Sequence, residues 1–528
     1  MITFPSILLA VIAFISVYIS IQIIYYKCFH PLRHYPGPFW AGVTSLWSAW
    51  HIFWGTETLE CWEATKKWGP VIRVEPNLLM MAESSAIPKI YHRRATKGNF
   101  FPQEFFKKPG SIVIRDPFQH SAHRRLVAST YAMSNIQRME PLITAHIVRW
   151  MDKIETSYAA TRKPIDFAKW TTYLSYDTVT DLGFRSPIGF VESGKDINGL
   201  IRNFQLGLRV MGAAARVDGL LPFIASSWLG KRLQVGADSG IFFRSITQHA
   251  LKILNKRTKS LEEGRTVKPQ KGESSYDFLQ AFTDTRTPDG ELLSVDTILT
   301  EIFVILGAGA DGFGSSCSSV LVEILSRPGI YARVINEIRT AVQAGYLSTP
   351  VPTYNEVAKR LPFYNACVSE ALRLHPLAAM VLPRKITPLD PEMIVNGRKI
   401  PLGIEIASNP WICQRDKAIY GEDAEDYNPD RWLGDPEQVK MYEKYNLTFG
   451  GGTRVCLGKH FAMVMLYKAP VALFMRFDAI LCPNTPETPK PFRRFLGPVL
   501  TWDDVWVKLT KRKPWVLQTQ DTGFSQPA

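Results

Sequence analysis

One short segment narrows this chain more than its length does: Phe449-Gly450-Gly451-Gly452-Thr453-Arg454-Val455-Cys456-Leu457-Gly458. Its glycines let backbone come close to a flat ligand. The residues after it, Lys459-His460-Phe461-Ala462-Met463-Val464-Met465, suit a helix. Cys456 therefore stands just before a helix start, where free N–H groups and the helix dipole favour a thiolate, and a thiolate can ligate a metal. Arg454 would neutralise a carboxylate or phosphate, Phe449 would shield the sulfur, and Gly458 leaves room beneath a ring system. The spacing Phe-x-x-Gly-x-Arg-x-Cys-x-Gly should arise by chance in roughly one chain of this size in ten thousand.

The remaining cysteines, Cys28, Cys61, Cys317, Cys367, Cys413 and Cys482, are scattered and form no Cys-x-x-Cys pair. That usage belongs to a reducing compartment, and it reads as small buried residues. Residues 5–26 carry no charge and are long enough to cross a bilayer as a helix. A cleaved signal would show a basic residue before the run and a small-x-small site after it, and neither is present. Lys27 and Arg33 follow the run, which places the large domain in the cytosol. The expected organisation is an anchor at 1–28 and one domain at 29–528. The net charge of +14 comes with no nucleic-acid motif. It suits a basic soluble surface, an anionic membrane or an acidic redox partner, and nucleic acid is set aside.

After the anchor, His34-Tyr35-Pro36-Gly37-Pro38 predicts a stiff extended hinge, because proline excludes helix there. An exposed loop is expected over 256–275. Helical periodicity covers 139–156, 277–283 and 296–326. Strand signals fall at 71–74, 78–82 and 394–400, the last folded about Asn396-Gly397. These elements describe a mainly α protein with a minor β region.

At each defining position the cysteine segment resembles the haem-binding signature of the cytochrome P-450 family. The resemblance extends over nearly the whole chain. Glu370-Ala371-Leu372-Arg373, followed by Leu374-His375-Pro376, and Tyr427-Asn428-Pro429-Asp430-Arg431-Trp432 resemble two further motifs of the family. Asn409-Pro410-Trp411 and 419–424 are similar to fungal members, with the pisatin demethylase-like group nearest. The resemblance implies the P-450 fold with an N-terminal transmembrane helix. It also implies a buried charge triad of Glu370, Arg373 and Arg431, an iron protoporphyrin IX haem ligated by Cys456, and propionate contacts from His120, Arg124 and Arg384. Phe449, Gly450, Arg454 and Gly458 would surround the haem.

It further implies monooxygenation of a lipophilic small molecule in fungal secondary metabolism at the endoplasmic reticulum membrane. Dioxygen would be the oxidant, and electrons would come from NADPH through a flavoprotein reductase. One departure matters: Leu306-Gly307-Ala308-Gly309-Ala310-Asp311-Gly312-Phe313 has Gly312 where the family carries a threonine. In the family an acid and an alcohol together deliver protons. Asp311 is present without its alcohol, and Ser315 and Ser316, three and four residues after Gly312, are candidates to hold a replacement water. The same departure leaves open a haem-thiolate isomerase, dehydratase or peroxygenase that uses no dioxygen. Ile305, Leu306, Ala308 and the stretch from Ala378 to Leu382 predict an apolar pocket.

Overall fold

The computed structural model describes residues 4–103, 108–228, 251, 252, 255 and 277–515. The loop expected at 256–275 lies outside them. α1 (Phe4–Ile24) spans about 30 Å at ~1.5 Å per residue, enough for a bilayer core, and runs into a π turn at Tyr25–Phe29. The stretch Ile12–Phe29 has none of its length buried in the rest of the protein. The connector begins as a 3-10 turn, Pro31–His34, and then extends. It is fastened to the domain: the Arg73 N–H donates to Pro36 O at 2.7 Å, and the Arg73 guanidinium donates to Tyr26 O at 3.0 Å. Only glycine fits at Gly37, where a Cβ would come within 2.3 Å of Arg73 O.

Five strands form the main sheet: β1 (Val71–Glu75), β2 (Leu78–Met81), β3 (Thr96–Lys97), β4 (Arg384–Lys385) and β5 (Glu405–Ala407). Their order is β1-β2-β5-β4-β3, with β2 and β5 parallel from Leu78↔Glu405 to Met80↔Ala407. The expected strand pair at 394–400 is a hairpin of Ile394–Val395 with Arg398–Lys399. Asn396 and Gly397 both take positive φ, 49° and 73°, as a two-residue hairpin turn requires. Near the C-terminus β6 (Phe492–Leu496) and β7 (Val499–Asp503) pair antiparallel.

The helices that place the site have recognisable starts. α2 (Pro117–Val127) opens with Pro117 after Asp116, whose carboxylate accepts from the Phe118 and Gln119 N–H groups. α3 (Phe167–Phe184) is capped by Asp166. α4 (Leu200–Ala215) follows it. The expected helix at 296–326 is α5 (Val295–Leu325), capped by Ser294 and interrupted by a π turn at Ile305–Gly309. α6 (Pro362–Leu374) carries Glu370 and Arg373, and α7 (Lys459–Arg476) follows Cys456. The expected helix at 139–156 is Glu140–Ile154 continued by a π turn. α5 runs through the main hydrophobic core and packs on α3, α6 and α7.

Candidate functional site

The Cys456 loop is held at both ends. The Cys456 N–H donates to Phe449 O at 2.7 Å, and Arg124 of α2 donates to Val455 O at 2.6 Å. Gly452 sits at φ 60°, where a Cβ would stand 2.4 Å from Tyr91 O, so glycine is obligatory; Gly450 is also left-handed at φ 77°. Cys456 is accessible, yet protein surrounds it closely enough that burial pushes its thiol up. The backbone N–H groups of Gly458 and Lys459 and the Arg124 guanidinium act in the opposite direction and favour the thiolate. A Cβ on Gly458 would meet Cys456 Sγ at 3.8 Å and nothing else, so the space beside the sulfur is open. Phe449 is half-buried beside the loop.

Basic groups crowd around that space. His120, Arg384 and Lys97 are buried, and Arg124 and Arg454 are half-buried. Arg454 donates to Ile114 O at 2.8 Å and to Arg115 O at 2.7 Å. Arg384 lies over the Tyr91 ring at 4.7 Å, and its Nε is buried with no acceptor among the described residues. Burial, then Arg454, Lys97 and Arg124, push His120 down to about 3, so its imidazole is neutral. Burial together with Arg454 and Arg384 also holds Lys97 well below its usual range. Against these cations the opposing acids are Asp116 beside Arg454 and the Cys456 thiol beside Arg124. Buried cations with so little counter-charge are costly, and a dianionic ligand would relieve them. Haem, with its two propionates and an iron that accepts one thiolate, meets that requirement. Lys97 carries no local signal in the sequence; pairing of β3 with β4, Lys97↔Arg384, brings it to the cluster.

α5 presents a stripe of accessible residues, Ala308, Gly309, Gly312 and Ser316, in an otherwise largely buried helix. Ile305 and Leu306, expected in the pocket, are instead packed into the core at 5% and 2% exposure. The accessible apolar residues are Ala308, Leu377, Ala378 and Leu382. A Cβ on Gly312 would lie 3.3 Å from Leu377 Cδ2. The Ser315 hydroxyl donates to Leu500 O at 2.5 Å, which commits its proton, whereas Ser316 faces the open stripe. Asp311 is buried, and burial pushes its carboxyl up to about 7 against the opposing influence of Tyr176 and Gln205. Neither group makes a hydrogen bond of normal geometry with it: both carboxylate oxygens and the Tyr176 hydroxyl are enclosed and unpaired among the described residues. A carboxyl that titrates near neutrality beside a cleft suits proton transfer.

Behind the loop the charge triad is present. Arg373 binds Glu370 through Nε and Nη2, each at 2.8 Å, and Arg431 Nε donates to Glu370 Oε1 at 2.9 Å. Trp432 Nε1 at 2.9 Å and the Asn428 N–H at 3.0 Å complete the ring of donors around that carboxylate. The remaining Arg373 hydrogens go to Gln414 O, Ala424 O and Asp426 O. Thr448, just before the cysteine segment, donates to Leu372 O of α6 at 3.0 Å, which ties the triad's helix to the loop.

An accessible thiol on a glycine-rich loop just before a helix, beside a cluster of basic groups with little counter-charge, defines a haem-thiolate protein. The cytochrome P450 family model matches residues 41–501, and the chain belongs to that family. It is 50% identical over 516 residues to quiannulatic acid synthase of Emericella variicolor, covering 98% of this chain and 97% of that one. It is 31% identical to cytochrome P450 monooxygenase gsfF of Penicillium aethiopicum, over 88% of this chain and 91% of that one. Cytochrome P450 monooxygenase cicH of Emericella nidulans is 28% identical over 88% and 92%. The chain is thus an oxidoreductase of the cytochrome P450 monooxygenase class. The family uses haem and in general receives NADPH electrons through a reductase.

Proposed function

We propose that this protein inserts one oxygen atom of dioxygen into a lipophilic small molecule of fungal secondary metabolism and releases the other as water. NADPH, through a flavoprotein reductase, is the source of the two electrons, and the two protons come from solvent. The bound haem supplies the oxygen chemistry. Cys456 would hold its iron, while Lys97, His120, Arg124, Arg384 and Arg454 would hold its propionates. Ala308, Leu377, Ala378 and Leu382 offer the apolar surface that orients substrate and excludes water, and Asp311 holds and passes a proton at its carboxyl. The observation that carries this reading is the accessible Cys456, held on its glycine loop beside Arg124 and the cluster of basic groups around it. Residues 1–28 serve as a single-pass anchor in the endoplasmic reticulum membrane, with the domain at 29–528 in the cytosol.

The half-identical relative is named as the synthase of an acid. Oxidation of one carbon as far as the carboxylic acid is therefore the first product to seek. The experiment is co-expression with a reductase in a host fed apolar extracts, with product mass compared against a reductase-free control. New products that require NADPH and incorporate labelled dioxygen support the reading. Gly312 favours a second reading, rearrangement or dehydration without dioxygen; products formed equally well without NADPH would establish that instead.

A further inference from the structure

α3 and α5 lie side by side in a register marked by three close approaches. A Cβ on Gly314 would stand 2.8 Å from Thr172 Cα, one on Gly309 would stand 3.5 Å from Val179 Cγ1, and one on Gly183 would stand 3.8 Å from Ile305 Cγ2. The numbering climbs along α3 as it falls along α5, so Tyr176 comes opposite Asp311. Both residues are buried, at 0% and 4% exposure, and the Tyr176 hydroxyl and both Asp311 oxygens have no hydrogen-bond partner among the described residues. Buried polar atoms left without partners are uncommon in a stable fold and concentrate where a protein does chemistry. Asp311 is also the inner end of a polar cleft of about 340 Å³, whose wall includes Thr172 of α3, Gln205 of α4 and Trp502 of β7. The cleft opens past Lys169 and Arg202, both exposed at the surface.

We propose that Tyr176 and Gln205 are positioning residues that hold the Asp311 carboxyl between this cleft and the Gly312 stripe, and that the cleft is the path by which protons reach it. This deepens the monooxygenase reading and rests on it. Asp311 gives up the proton on its carboxyl toward the stripe and takes another from the cleft. Tyr176 is the foremost influence opposing the effect of burial on that carboxyl, and Gln205 is the next. The charged groups along the cleft are largely matched. Lys169 pairs with Asp166 at 3.0 Å and Arg494 pairs with Asp503 at 3.1 Å, while the Asp196 carboxylate accepts from the backbone N–H of Arg202 at 3.0 Å. Asp504 lies at the cleft's edge. None of these charges is among the causes that set Asp311.

The test is an infrared titration of the haem-loaded ferric protein, with the Asp311 carboxyl band assigned by its loss in Asp311→Asn. Tyr176→Phe and Gln205→Leu should each raise the midpoint of that band by about one pH unit. That is a tenfold change in proton affinity, the loss of a nearby dipole that favours the charged carboxylate. If Tyr176→Phe fails to load haem, Gln205→Leu alters a half-buried side chain and decides the matter alone. An unmoved or lowered midpoint overturns the proposal. In turnover both variants should release more hydrogen peroxide per NADPH with KM unchanged, and a change in KM with the peroxide ratio unaltered would count against positioning. A raised midpoint in a protein that consumes no NADPH would uphold the Tyr176 and Gln205 arrangement and remove the monooxygenase reading instead.

Discussion

Replacing Glu370 by glutamine keeps the side-chain shape and removes one charge from the centre of the triad. Glu370 has no exposed surface and accepts from Arg373 twice, from Arg431, from Trp432 and from the Asn428 N–H. An amide offers one acceptor oxygen where the carboxylate offers two, and its NH2 group would point at an arginine or at the Trp432 N–H. Arg373, itself fully buried, would keep only neutral carbonyl partners. Breaking a buried pair in this way costs about 3–5 kcal/mol. With an unfolding entropy of about 2.1 cal/mol/K per residue, a chain of ~500 residues loses about 1 kcal/mol of stability per degree near its midpoint, so the Tm should fall by about 3–5 °C. The assay is thermal unfolding of the haem-loaded protein at one fixed scan rate, followed by far-ultraviolet circular dichroism and by the haem absorbance. The Lys440–Glu437 pair at 2.7 Å, with both side chains largely exposed, is the internal control, and Lys440→Ala should change stability by less than about 0.5 kcal/mol. The haem signal of Glu370→Gln should fall with or before the backbone signal, because Thr448 joins α6 to the cysteine loop. A Glu370→Gln Tm within the error of Lys440→Ala would refute the triad as a fastening of that loop.

Removing residues 1–26 should move the protein from the membrane to the soluble fraction after a high-salt wash while haem loading persists, as fractionation and absorbance will show; loss of haem would contradict it. Asp311 has an ordinary pKa of 3.8 and lies near 7 in the fold, so the folded chain keeps a proton that the unfolded chain has lost. Stability from this group is then complete in acid and declines as pH climbs between those values. Asp311→Asn should therefore gain stability over the wild type at pH 8 relative to pH 5, by about 3 kcal/mol at most, because part of the effect is already present at pH 5, read from urea midpoints at the two pH values. Gly312→Thr places its Cβ within 3.3 Å of Leu377 Cδ2 and should lower peroxide release per NADPH. Substrate affinity measured separately will show whether the new side chain crowds the pocket.

Local features of the fold could be read from the residues. The hairpin at Asn396-Gly397, the caps at Asp116 and Ser294, the helical period over 139–156 and 296–326, and the glycine-bracketed cysteine each depend on neighbours within a few positions. Glu370 and Arg373 are three residues apart, and their partner Arg431 lies in a second segment, Tyr427 to Trp432, that resembles a motif of its own. What could not be read depends on pairing across long stretches of chain. The parallel ladder of β2 and β5 joins Leu78 to Glu405, and Lys97 enters the cationic rim only because β3 pairs with β4. Tyr176 looks like any core aromatic of α3 until the α3–α5 register sets it opposite Asp311. Burial also reverses part of the expected pocket: Ile305 and Leu306 are apolar and close to Ala308, but in the π turn both are packed into the main core. Likewise Ser315 and Ser316 look equivalent in sequence, and only one of them spends its proton on Leu500 O.

The central claim is that Cys456 is the haem iron's protein ligand, and the absorbance spectrum of the reduced protein under carbon monoxide tests it most directly. The wild type should show the red-shifted Soret band of thiolate ligation, and Cys456→Ala should lose that band while the protein remains folded by circular dichroism. A thiolate-type band that survives in Cys456→Ala would contradict the claim and transfer the iron to one of the other cysteines.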